Sequence, residues 1–146
     1  MSAFDRLNDR AKKAVFAAMA RLAINIQREA VISILHGPKS GVVYQNARHR
    51  KDGSVMKNRR GETQYKEHQA SAPGEAPASD TGYLASHIQI TMDKGKGEVC
   101  VIAKADYAPA LEFGTLHMAA RPFLSPAYHK YLPSALEELK HAWNES

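Results

Sequence analysis

The residues of this chain with obvious chemical reach are seven histidines, one cysteine and a carboxylate set close to a His and an Arg. His36, His49, His68, His87, His117, His129 and His141 form no HExxH pair, no two lie four apart, and no CxxC occurs. The spacing a metal site needs is missing, so neither a metal nor a cofactor is expected. Cys100 lies in the apolar run Val99-Cys100-Val101-Ile102, where a small buried hydrophobe is expected rather than a nucleophile. Gly95-Lys96-Gly97 lacks the third glycine and the strand-to-helix setting of a dinucleotide loop and reads as a hairpin turn. No GxSxG elbow is present. Glu112, near His117 and Arg121, has the residue types for acid–base work, but a lone carboxylate makes a poor catalytic centre. Its expected role is an ion pair with Arg121 or with a neighbouring chain, and the protein is not expected to be an enzyme.

A second group could hold phosphates. Arg48, Arg50, Lys51, Lys57, Arg59 and Arg60 crowd one short stretch, offset within it only by Asp52 and flanked by Tyr44 and Tyr65. The formal net charge of +5 permits contact with nucleic acid or another acidic surface. No helix-turn-helix, zinc module or RNA-stacking motif accompanies the stretch, so base-specific reading is not expected. Two readings remain: non-specific contact with DNA phosphates, and a solvated loop whose charge keeps it soluble.

The elements that must carry these groups follow from composition and periodicity. At 146 residues, with 44% hydrophobic and 24% charged residues, the chain is expected to be one domain with one core. A single cysteine excludes an internal disulfide and suits a reducing compartment. No apolar run is long enough for a membrane span and no basic-then-apolar leader opens the chain, so an internal or virion-type location is expected.

Residues 1–36 predict a long helix. They lack Gly and Pro, and Phe4, Leu7, Ala11, Ala14, Val15, Ala18, Leu22, Ile26 and Ala30 mark one face. About 32 helical residues would span roughly 48 Å, long enough to pack on a sheet or reach a neighbouring subunit. His36-Gly37-Pro38 is the stop. Residues 37–80 predict a projecting hairpin or mobile loop with the basic tip. Gly41–Tyr44 and Glu62–Lys66 are its candidate strands, Asp52-Gly53 its turn, and an irregular Pro/Ala/Gly segment follows. Residues 81–146 predict a short helical turn at 81–84 and an antiparallel pair, Ser86–Met92 with Glu98–Ala103. A junction helix and a final helix from Pro126 to Trp143, kinked at Pro133, complete the chain. The fold class is α+β, with the two long helices packed on a small antiparallel sheet.

The junction is the most information-rich stretch. Asp106 is a candidate N-cap, Pro109 suits a first helical turn, and Gly114 can stop the helix with a positive φ. Arg121 is held extended by Pro122, and Ser125-Pro126 reads as the N-cap and first residue of the last helix. The order Ala105-Asp106-Tyr107-Ala108, Leu111-Glu112-Phe113-Gly114-Thr115, Met118, Ala120-Arg121-Pro122-Phe123-Leu124, Pro126-Ala127 resembles the hallmark of a tailed-bacteriophage family. This family comprises the tail-component, neck and tail-completion (head–tail joining) proteins of long-tailed phages and prophages. His68–Ala78 with Asp80-Thr81-Gly82-Tyr83-Leu84 and Ile88 resembles its second block.

The resemblance implies an α+β, non-enzymatic structural protein. It would form a homo-oligomeric ring at the head–tail junction or the top of the tail tube, assembled in the host bacterial cytoplasm and carried in the virion. Its implied partners are copies of itself, other neck and tail proteins and the double-stranded DNA that passes through the lumen, with no membrane involved. Tyr107, Leu111, Glu112, Phe113, Gly114, Thr115, Met118, Arg121, Pro122 and Phe123 would form the structural or interface motif. The alternative is a small basic module that contacts DNA phosphates non-specifically through the tip residues.

Overall fold

The longest element forms where the chain offers no Gly or Pro to break it. Helix α1 (Asp9–His36) follows a 3-10 turn at Phe4–Arg6. Its first turn is closed by the Asn8 side chain, which accepts from the Ala11 N–H at 2.8 Å. It ends where Gly37 donates to the Ser33 carbonyl and Pro38 prevents continuation. The computed structural model describes residues 1–144, and its architecture is α+β.

Helix α4 (Leu124–Asn144) runs antiparallel to α1. Lys130 pairs with Glu29 at 2.8 Å, Arg21 pairs with Glu138, and Ala142 is buried with Leu7 and Ala11. The buried faces of both helices are rich in small side chains. Ala11, Ala18, Ala23 and Ala30 of α1 and Ala127, Ala135 and Ala142 of α4 are all buried, and Ala11 and Ala142 meet in one cluster. Buried Val15 and Ile26 fall on the face that the apolar spacing predicts, and Ile34 extends it. Pro133 sits on the exposed side of α4, and the helix continues through it.

Strands β3 (Ile88–Asp93) and β4 (Glu98–Ala103) pair antiparallel, with Ile88 opposite Ala103, Ile90 opposite Val101 and Met92 opposite Val99. These positions share one face, and α1 packs on the pair. The same alternation corrects the expectation for Cys100. It lies opposite Thr91 on the outer face and is exposed, because its neighbours Val99 and Val101 take the inward positions. Short helix α2 (Tyr83–Ser86) delivers Leu84 and Ala85 to the main core. There they join Ile26, Ala30 and Ile34 of α1 with Phe123, the two largest fully buried side chains being Phe123 and Ile34. Helix α3 (Ala108–Phe113) lies between β4 and α4 in the chain.

Strands β1 (Val43–Ala47) and β2 (Tyr65–Gln69) form a separate antiparallel hairpin, from Val43 opposite Gln69 to Ala47 opposite Tyr65. Most of its residues are exposed, as expected of a projecting element. The strands lie beyond the expected Gly41–Tyr44 and Glu62–Lys66, because residues 62–64 are used differently. Instead of one loop, the end of the hairpin forks. Arg48 N–H donates to the Gln64 carbonyl (2.9 Å), Met56 N–H to Arg48 (2.7 Å) and Gln64 N–H to Met56 (2.9 Å), closing a ring of three backbone bonds. Two small hairpins leave this ring, one bridged at His49–Val55 and the other at Lys57–Thr63.

Each small hairpin closes on a tight turn that ends in a positive-φ glycine, Gly53 (84°) and Gly61 (78°). Asp52 Oδ1 accepts from the N–H and hydroxyl of Ser54, and Asn58 Oδ1 accepts from the N–H groups of Arg60 and Glu62. Both turns therefore carry their own side-chain brace.

Candidate functional site

Two regions collect the residues singled out from the sequence: the junction from Ala105 to Ala127, and the fork. In the junction, Glu112 is 8% exposed and does not pair with Arg121. Its Oε2 accepts from the N–H groups of Phe123 (2.9 Å) and Leu124 (3.0 Å). Its Oε1 accepts from the N–H of Ser125 (2.8 Å) and from the Ser125 hydroxyl. These are the free N–H groups at the start of α4, which a helix cannot satisfy internally. A carboxylate from α3 thus caps α4 across the junction, at the positive end of its dipole.

This cap corrects two expectations. Ser125 is not the N-cap: the helix begins at Leu124, and the Ser125 hydroxyl turns to Glu112. The Glu112–Arg121 ion pair is not formed, because three backbone donors and a hydroxyl already saturate the carboxylate. Burial by itself would raise the Glu112 carboxyl. The hydrogen bonds from Ser125 Oγ and from the N–H groups of Phe123, Leu124 and Ser125 outweigh it and hold the carboxyl below its ordinary value.

Arg121 is bound elsewhere. Its N–H donates to the Leu111 carbonyl (2.6 Å), its Nε to the Ser71 carbonyl (3.3 Å) and its Nη1 to the Ala119 carbonyl (3.4 Å). Gly74 N–H also donates to the Ala120 carbonyl at 3.0 Å. The two sequence blocks at 68–84 and 105–127 therefore meet in space. The first is ordered locally by Glu75, which accepts from the N–H groups of Ala72 and Ser40 and from the Ser40 hydroxyl. Led by the Ser40 hydroxyl bond, these contacts hold the Glu75 carboxyl below its ordinary value.

The rest of the motif divides into buried anchors and exposed residues. Phe123 is 1% exposed in the main core, and Pro122, Leu111 and Met118 are partly buried. Tyr107 stands at the N-cap position of α3, and no side chain caps this helix; Asp106, expected to do so, is exposed. Gly114 ends α3 with φ 76° and ψ 177°, a region open essentially to glycine alone. A Cβ there would stand 2.9 Å from both the Ala120 N and the Met118 carbonyl oxygen. Beyond it, Thr115 and Met118 bridge, with Thr115 N–H donating to the Met118 carbonyl at 2.8 Å. This turn carries His117, exposed, and Leu116 at its tip. Leu116 is 100% exposed, and Phe113, just before the turn, is 79% exposed. Leu116 carries no mark in the sequence, since exposure at a turn tip leaves no periodic signal.

Arg48, Arg50, Lys51, Lys57, Arg59 and Arg60 all lie on the fork and are all exposed. No helix among the described residues is long and apolar enough to cross a membrane. No family model, no curated protein and no solved structure matches the chain.

Proposed function

We propose that this chain is a structural assembly protein, a subunit of a homo-oligomeric ring at the neck or the top of the tail tube of a long-tailed phage or prophage. The observation that carries the reading is the division of labour within the junction motif. Glu112, Gly114, Arg121 and Phe123 are all spent on holding α3, the turn and α4 in fixed relation. That rigid frame presents Phe113 and Leu116 to water. Large apolar side chains on a braced turn are suited to insertion into a neighbour, and a head-to-tail contact of this kind closes into a ring when the rotation between subunits permits. Ring assembly would then proceed alongside contacts with other neck and tail proteins.

The test is solution mass by light scattering across a concentration series, on wild type and on Leu116→Ser. The expected result is a wild-type mass that rises to a multiple of the subunit, and a Leu116→Ser protein that melts like wild type yet stays at lower mass. A Leu116→Ser variant that assembles like wild type would remove the turn from the interface. The alternative reading, a basic module on DNA phosphates, is favoured by a separate observation, the fork.

A further inference from the structure

The fork at the end of β1 and β2 carries a set of cations that the rest of the molecule does not use. Arg48 lies on the ring of backbone bonds, Arg50 and Lys51 belong to the first small hairpin, and Lys57, Arg59 and Arg60 belong to the second. Among the described residues none of the six pairs with a carboxylate. Their one side-chain hydrogen bond runs from Arg50 Nη1 to Ser54 Oγ, at 3.4 Å. The fork's two acids are each engaged within their own turn, Asp52 with Ser54 and Glu62 with the Asn58 side-chain amide at 2.7 Å. Hydrogen bonding from the Ser54 hydroxyl, then from its N–H, keeps the Asp52 carboxyl below its ordinary value.

The surroundings discriminate between acidic partners. A protein interface needs an apolar centre, and Val55, 36% exposed, is the large apolar side chain that the fork shows to water. Single-stranded nucleic acid is held by aromatic platforms, and neither arm of the fork carries a Phe, Tyr or Trp; the exposed Tyr44 and Tyr65 lie behind the arms, on β1 and β2. What the fork does offer is guanidinium and ammonium groups on two braced arms, ordered before any ligand arrives, which limits the entropy lost on binding. We propose that the fork is a phosphate-binding prong that grips double-stranded nucleic acid by its backbone, without reading sequence. The proposal stands on the fork alone and does not rest on ring assembly.

The experiment is fluorescence anisotropy of a labelled mixed-sequence DNA duplex, titrated with the full chain across a potassium chloride series. Binding is expected to weaken linearly in log–log form, with a slope of about −0.9 for each phosphate neutralised and no steeper than about −5.4 for the six cations of the fork. Arg59→Gln/Arg60→Gln should flatten that slope by about 1.8 and bind a second duplex of unrelated sequence equally weakly. Lys51→Gln/Lys57→Gln should do the same from both arms. Lys13→Gln, an exposed cation on α1, should leave the slope unchanged. Each variant must prove folded by circular dichroism and equal to wild type in mass by light scattering, which separates this test from the assembly reading. The proposal is overturned if wild type shows no salt-dependent duplex binding, or if both fork variants keep the wild-type slope. Displacement of the duplex by equimolar polyglutamate as readily as by unlabelled duplex would also overturn it, in favour of an acidic protein partner.

Discussion

Replacing Glu112 with glutamine keeps the length and shape of the side chain and removes one of the two oxygens that cap α4. In the wild type each oxygen takes two donors: Phe123 and Leu124 N–H on one, Ser125 N–H and hydroxyl on the other. Glutamine retains one acceptor and turns an NH2 group toward the other pair, so two charge-assisted bonds are lost beside the N-terminus of a long helix. At about 1.5 kcal/mol or more for each such bond, the loss is about 3 kcal/mol at neutral pH. For a chain of this size that lowers the melting temperature by about 6–12 °C. The pH dependence is distinctive. Hydrogen bonding holds the folded-state carboxyl below its ordinary value. The cap therefore contributes fully above the unfolded value of about 4.3, and its contribution is lost as pH falls through the lower folded value. Urea denaturation of both proteins, followed by circular dichroism from neutral pH into acid, should show a gap that is wide at neutrality and closes on acidification. Equal stability at neutral pH, or a gap that stays constant into acid, would refute the capping role.

Two further substitutions separate the frame of the junction from its surface. Gly114→Ala forces a Cβ against the backbone of Met118 and Ala120 at a φ reserved for glycine, and should cost about 2–4 kcal/mol in thermal or chemical unfolding. Phe123→Ala empties the centre of the main core and should cost about 3–5 kcal/mol in the same assay.

Sequence was informative wherever local pattern and tertiary packing ask for the same thing. The gap in Gly and Pro before His36 and the apolar spacing through Ala11, Val15, Ile26 and Ala30 mark α1 and its buried face. Alternation at Ile88, Ile90 and Met92 marks β3, and the Asp93–Gly97 turn marks its antiparallel return as β4. The misreadings arise where a partner is distant in the chain. Glu112 reaches Phe123, Leu124 and Ser125, while Arg121, its expected partner, goes back to Ser71. No local rule pairs those positions, and charge proximity suggested the wrong bond. The fork was partly visible: Asp52-Gly53 announces one turn, but Gly61 after Asn58-Arg59-Arg60 announces a second, and two turns within one loop require two hairpins. Cys100 was misplaced because an apolar run conceals which face of a strand is the buried one.

In the proposed assembly, the junction presents the exposed Phe113 and Leu116 to another copy of the chain. The most direct test is the light-scattering mass of wild type and Leu116→Ser over the same concentration series, with negative-stain imaging of the largest species. Closed rings are expected for wild type at high concentration, and a smaller species for Leu116→Ser at unchanged melting temperature. A wild-type protein that keeps the mass of one subunit at every concentration would contradict that assembly.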